Sequence, residues 1–170
     1  MLTAKTYAKI QRPVKGIKKK YLFCYFLNKE HQYKEIVQKY AFEHNLQIVG
    51  VSDKVEDGKW MIRLTGLGAD HFLWLFVNNA ETIMTDSYHG SIFSLLFHKN
   101  LWIFQRFAEN NPICQNSRIR QLQNYFNLQH RVISATSQLD EASSIDYNDF
   151  EFKLNLLRTS SLEFLKNALI

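Results

Sequence analysis

The chain has few cysteines and no long apolar run. Its two cysteines, Cys24 and Cys114, lie far apart and form no Cys-X-X-Cys pair, so neither a disulfide framework nor a cysteine zinc site is predicted. No run of about 18 apolar residues occurs, and the amino-terminal segment lacks the apolar core of a signal peptide. We therefore expect a cytoplasmic protein that spans no membrane, with Cys24 as a buried thiol.

Signature motifs of several large enzyme classes are also missing. The sequence contains no Gly-X-Gly-X-X-Gly fingerprint, no phosphate-binding P-loop and no Gly-X-Ser-X-Gly nucleophile elbow. Its histidines, cysteines and carboxylates show no metal-ligand spacing. We therefore expect neither a metal nor another cofactor.

The charge is basic but not concentrated. The net charge is +5 and the pI is about 9.2. The densest basic cluster, at residues 15–20, directly precedes the first apolar run and is typical of a solvated linker. Because no basic stripe is evident, nucleic acid is not the expected partner. An anionic small substrate, or the anionic inner face of a membrane, fits the charge better.

Short apolar runs alternate with amphipathic segments along the whole chain. The apolar runs predict strands at residues 20–27, 46–51, 82–85, 101–104 and 131–134, with a further short strand within 60–64. The amphipathic segments predict helices at residues 30–45, 70–79, 91–97 and 117–126, and a last helix capped by Asp146 or Asn148. This alternation predicts an α/β fold, a Rossmann-like parallel sheet with helices on both faces.

The most informative stretch is TDSYHGSIFS at residues 85–94, where a predicted strand meets a predicted helix. Ligands of open α/β sheets bind at this edge, and a helix amino terminus attracts anions. His89 can gain or lose a proton near neutral pH, and Asp86 could orient its ring. The alternative is a corner in which Asp and Ser only cap the helix and Gly only makes the turn.

The motif TDSYHGSIFSLLF closely resembles that of the polysaccharide pyruvyl transferases. The likeness extends over nearly all of the chain, from the YLFCYFL strand and the GADHFLWLFVNNAE segment to Arg106, the Asn-Ser-Arg-Ile helix start at 116–119, and the closing SLEFLKNAL. The sequence departs from the family pattern at Ala69, where Pro is usual, and at Tyr88, where Phe is usual.

Members of the family are about twice as long, with two Rossmann-like domains in a glycosyltransferase type-B-like arrangement and the active site between them. The resemblance therefore implies that residues 1–19 are a connector from an absent first domain, and residues 20–170 a donor-binding domain with a carboxyl-terminal helix. We expect the missing domain or a partner chain to complete the cleft, and little turnover without it. Exposed apolar surface could also support a dimer.

The resemblance implies transfer of a pyruvyl group from phosphoenolpyruvate, the donor substrate, to hydroxyls of a saccharide, free or lipid-linked, in cell-surface or exopolysaccharide synthesis. It makes His89 the candidate general acid, with Asp86 beside it. The candidate residues for the donor phosphate and carboxylate are Ser87, Gly90, Ser91, Arg106, Asn116, Ser117 and Arg118. Arg120 and Arg131 are expected at the surface.

Two other functions stay open. The same architecture serves nucleotide-sugar glycosyltransferases, in which the helix start would hold a diphosphate. The chain could also be a catalytically silent fragment or a binding module, since Met1 falls where the first domain should end.

Overall fold

The computed structural model of the chain describes residues 3–17, 20–27, 33–51, 60–77, 80–105, 116–133 and 139–169. Its centre is a sheet of six strands: β1 (Tyr21–Tyr25), β2 (Gln47–Val51), β3 (Ile62–Leu64), β4 (Ala80–Thr85), β5 (Asn100–Phe104) and β6 (Val132–Ile133). Every neighbouring pair is parallel, and the strand order is β3-β2-β1-β4-β5-β6. The predicted Rossmann-like parallel sheet is thereby confirmed.

Helices cover both faces of this sheet, as predicted. They are α1 (Ala4–Ala8), α2 (Lys34–Glu43), α3 (Ala69–Val77), α4 (Tyr88–Leu96), α5 (Ser117–Phe126) and α6 (Tyr147–Ala168). Phe23 and Ile83 belong to the larger core, beneath α3, α4, α5 and α6. The adjacent strand residues Leu22 and Met84 belong to the smaller core, beneath α2. This division follows from the alternation of side chains along a strand.

The predicted start of the helix after β4 is wrong by three residues. The helix after β4 begins at Tyr88 rather than Ser91, because the Ser87 hydroxyl accepts from the Gly90 N–H at 3.3 Å and so caps the chain directly after the strand. The sequence favours Ser117 as the cap of α5, but Ser117 is the first residue of this helix and the cap position is Asn116. The cap of α6 is Asp146, as predicted, since its carboxylate accepts from two backbone N–H groups of the first turn.

The described part of the predicted connector packs on the sheet domain. The Tyr7 ring meets the Phe93 ring edge-on with centroids 5.1 Å apart, and Val14 is buried in the larger core. Arg12 Nε lies 3.1 Å from a carboxylate oxygen of Asp70 at the start of α3. Residues 3–17 are therefore held against α3 and α4.

Helix α6 is buried only near its start. Phe150 and Leu154 are buried, whereas several later apolar side chains are exposed, among them Leu156, Leu162, Phe164 and Leu165. The exposed half borders an open groove of about 1040 Å³ between α1, α5 and α6. No helix in the described ranges is both long and apolar enough to cross a membrane.

Candidate active site

The strand order reverses between β1 and β4. From β1 the chain continues to β2 on one side, and from β4 it continues to β5 on the other. Such a reversal opens a crevice at the carboxyl ends of the two strands, where ligands of doubly wound folds bind. The motif at residues 85–91 starts at the end of β4 and therefore lies at this switch point.

Hydrogen bonds of Thr85 and Asp86 join the end of β4 to the chain at and just beyond the end of β1. The Thr85 hydroxyl donates to the Tyr25 carbonyl oxygen at 2.6 Å and accepts from the Ser87 N–H at 3.0 Å. Asp86 is buried, and its Oδ1 accepts from the Leu27 N–H at 2.7 Å. These bonds fix the corner from which α4 starts. Thr85 is not among the predicted site residues, although its hydroxyl holds this corner. Its only sequence signal is its position just before Asp in the motif.

The first turn of α4 presents backbone donors toward this edge. Ser87 Oγ accepts from the Gly90 N–H, and the Ser87 carbonyl accepts from the Ser91 N–H at 2.9 Å. The two intervening N–H groups, those of Tyr88 and His89, have no hydrogen-bond partner in the part of the chain that the structure describes. With the helix dipole, they make this end of α4 suitable for an anion.

Gly90 and Ser91 are buried inside the corner. A Cβ atom at Gly90 would lie 2.7 Å from Thr85 Oγ1 and 3.1 Å from Tyr25 Cδ1, so the missing side chain lets α4 approach the strands closely. The Ser91 hydroxyl is fully buried and donates to the Ser87 carbonyl oxygen at 3.0 Å. In this structure both residues therefore shape the helix start, and their predicted contact with a ligand stays a prediction.

His89 is exposed on the first turn of α4, with its ring next to that of Tyr88 at a centroid distance of 5.6 Å. Within residues 80–105 no hydrogen bond joins Asp86 to the His89 ring. Asp86 instead accepts from the backbone N–H of Leu27, just beyond the end of β1. Its role in orienting the imidazole stays a prediction.

The remaining predicted site residues follow β5. Since β4 and β5 are parallel and α5 follows β5, the amino terminus of α5 lies at the same edge of the sheet as that of α4. At this terminus Asn116 is buried, whereas Ser117 and Arg118 are exposed. The prediction for Arg106 falls outside the described residues.

Of the two arginines expected at the surface, Arg120 is exposed. The prediction for Arg131 is wrong, because only 5% of this residue is accessible. Its guanidinium carbon lies 4.4 Å from the centre of the Trp102 ring. Stacking on an indole makes burial of this cation possible.

These features define an α/β protein of the doubly wound, Rossmann-like class, with a histidine-bearing helix terminus at the switch point of its sheet. A family model described as polysaccharide pyruvyl transferase matches residues 3–105, more than half of the chain. The chain belongs to this family. The match includes the whole motif of α4 but ends before Asn116, Ser117 and Arg118.

Among solved structures, the chain is similar to the UDP-GlcNAc 2-epimerase from Methanocaldococcus jannaschii, with a TM-score of 0.47 and 13% sequence identity. The similarity covers 89% of this chain and 41% of the epimerase chain, so this chain spans less than half the length of that protein. A comparison with curated proteins finds no significant match.

Proposed function

We propose that this chain is the donor-binding half of a polysaccharide pyruvyl transferase, with phosphoenolpyruvate as the donor. The observation that supports this most is the start of α4 at the switch point, where two backbone N–H groups without described partners adjoin an exposed histidine. Phosphoenolpyruvate is an anion with a phosphate and a carboxylate, and both suit a helix amino terminus.

The proposed reaction moves the three-carbon unit of phosphoenolpyruvate onto two hydroxyls of a saccharide. A proton adds to the methylene carbon of the donor, one hydroxyl attacks the resulting cationic carbon, and phosphate leaves. The second hydroxyl then closes the ketal. Of the two hydroxyl protons, one balances the proton delivered to carbon and the other leaves with phosphate.

His89 is the proposed general acid, because it is exposed at the helix start and its ring can carry a proton near neutral pH. A helix amino terminus disfavours a charged imidazole, whereas a bound dianionic donor favours it. The proposal therefore couples donor binding to protonation of the acid.

The donor carboxylate needs a cation, since backbone N–H groups alone provide no full positive charge. Arg118 is exposed at the amino terminus of α5, on the same edge of the sheet as the α4 site. A guanidinium binds a carboxylate or phosphate through two parallel hydrogen bonds. Arg118, together with Arg106, is therefore proposed to hold the donor, and Asn116 and Ser117 to line the same terminus.

Calorimetric titration of the chain with phosphoenolpyruvate tests this proposal. We expect saturable binding that His89→Asn weakens by about tenfold or more, as loss of a charged hydrogen bond would do. The matched control is His98→Asn, which changes an exposed histidine just beyond the other end of α4. Asn is chosen there because residue 98 has a positive φ of 50°, which Asn tolerates.

A nucleotide sugar serves as the second ligand. Binding of the nucleotide sugar without binding of phosphoenolpyruvate would contradict the proposal and favour a glycosyltransferase half. Equal affinity of His89→Asn and His98→Asn for phosphoenolpyruvate would place the donor away from the α4 terminus.

A further inference from the structure

Arg131 is a buried cation that forms no ion pair in the described ranges. It is 5% accessible, and its Nε has no hydrogen-bond acceptor. No carboxylate of residues 80–105, 116–133 or 139–169 forms an ion pair with it. A buried charge is costly unless it is paired, so an arginine of this kind calls for an anion.

The position of Arg131 follows from the register of the sheet. Val132 pairs with Ile103, so the preceding residue, Arg131, stands beside Trp102. The guanidinium carbon therefore lies over the indole, 4.4 Å from the ring centre. The indole attracts the cation but provides no hydrogen-bond acceptor in the place of a carboxylate. The Trp102 Nε1–H is also buried without an acceptor among the described residues.

Both side chains line a pocket of about 290 Å³ between the carboxyl end of α2 and the amino ends of β4 and β5. The carboxylates of this pocket already have side-chain partners. Glu141 Oε2 lies 2.8 Å from His44 Nε2, and Glu81 Oε2 lies 3.0 Å from Lys20 Nζ. Asp140 and Glu141 lie near enough to favour the charge of Arg131, but neither forms an ion pair with it in the described ranges.

The polar groups of the opposite wall are fixed. Asn100 Nδ2 donates to Tyr40 Oη at 3.0 Å and to Thr82 Oγ1 at 3.1 Å, so the Asn100 amide is held in place at the start of β5. The pocket is therefore a preformed polar cavity, and the Trp102 indole is part of its lining. Its volume is enough for a phosphate group with a small organic substituent.

We propose that this pocket is a binding site for a small phosphate-bearing anion, held by the guanidinium of Arg131 beside the indole of Trp102. It is separate from the α4 terminus, because Thr82 and Asp86 are four residues apart on an extended strand, roughly 13 Å. A ligand there contacts α2, β4, β5 and the start of β6. It would act as an effector or as a structural ion, and not as the pyruvyl donor.

The test is a titration of the chain with inorganic phosphate, followed by the indole N–H signal of Trp102 in proton–nitrogen NMR spectra. Sodium chloride at matched ionic strength is the reference. We expect a saturable shift of this signal with phosphate and none with chloride. Trp102→Phe assigns the signal, and the indole signals of Trp60 and Trp74 serve as internal controls.

Arg131→Met should weaken phosphate binding by about tenfold or more. If that variant does not fold, Arg131→Lys keeps the charge, loses the two-pronged geometry and should still weaken binding. Arg120→Met removes an exposed arginine and should leave the affinity unchanged, and so should His89→Asn, which affects only the proposed donor site. The absence of a saturable Trp102 shift up to roughly 30 mM phosphate would overturn the inference, as would wild-type affinity in a folded Arg131 variant.

Discussion

The hydroxyl of Thr85 joins two strands and a helix at the candidate site, and its removal tests how that corner is held. Thr85→Val keeps the shape of the side chain and replaces the hydroxyl with a methyl group. Two hydrogen bonds are lost, one to the Tyr25 carbonyl at 2.6 Å and one from the Ser87 N–H at 3.0 Å. Both lie at a position that is completely buried.

The expected loss follows from these two contacts. The bond to the carbonyl contributes about 1 kcal/mol, and the buried Ser87 N–H, left without its acceptor, costs about 1–3 kcal/mol. The added methyl group recovers up to about 0.8 kcal/mol. We therefore expect Thr85→Val to lower the free energy of unfolding by about 2 kcal/mol.

Urea unfolding followed by far-ultraviolet circular dichroism measures this loss, with Thr82→Val as the matched control. Thr82 is a buried threonine of the same strand, but its hydroxyl contacts the side chains of Tyr40 and Asn100, at 3.1 Å each. Tyr40 and Asn100 keep the hydrogen bond of 3.0 Å to each other without the Thr82 hydroxyl, so the control should lose less than about 1 kcal/mol. If Thr85→Val loses no more than Thr82→Val, the corner does not depend on the Thr85 hydroxyl.

Three further substitutions test neighbouring features of the fold. Gly90→Ala should destabilise the chain by about 1 kcal/mol despite the better helix propensity of Ala, because the new Cβ would lie 2.7 Å from Thr85 Oγ1. Urea unfolding measures this loss, and unchanged stability would contradict the close approach of α4 to the strands. Asp146→Ala should cost about 1 kcal/mol by loss of the α6 cap, again by urea unfolding, and a fully helical, equally stable variant would refute the cap. A backbone hydrogen bond from His71 lowers the pKa of Asp70. The stability that the charged Asp70 carboxylate adds to the fold is therefore present above the ordinary Asp pKa, and it is lost as pH falls through the lowered value. Asp70→Asn should therefore flatten the fall in stability below about pH 4, and an identical pH profile in both proteins would exclude the effect.

Most of the fold could be predicted from local pattern. The continuous apolar runs predicted the strands of the sheet. Parallel strands are buried on both faces, so their residues are apolar without interruption and differ clearly from the polar surface segments. The site of the motif was also predictable, since its Thr-Asp-Ser sequence stands where the apolar run of β4 ends. The pairing order that makes this place a switch point follows from long-range contacts, and no local pattern specifies it.

Arg131 shows what local pattern cannot supply. An arginine next to a short apolar run is expected to reach solvent, because a buried cation is costly. Its burial depends on Trp102, which is distant along the chain and becomes its neighbour only through the pairing of β5 with β6. Buried polar residues of this kind are found by the structure alone, and they are where a function beyond the family motif is to be sought.

The residues of the motif have two roles in the structure: some hold the corner together, and others are available to a ligand. Thr85, Asp86 and Ser91 direct their described hydrogen bonds into the protein, and Gly90 leaves space for the helix to approach the strands. What the corner leaves available is the His89 side chain and the backbone N–H groups at the start of α4. A backbone donor carries no sequence signal of its own, so a motif that positions such donors is read most easily as a set of side-chain ligands. Variants of the buried residues should therefore act on stability and binding together, whereas variants of His89 should leave stability unchanged.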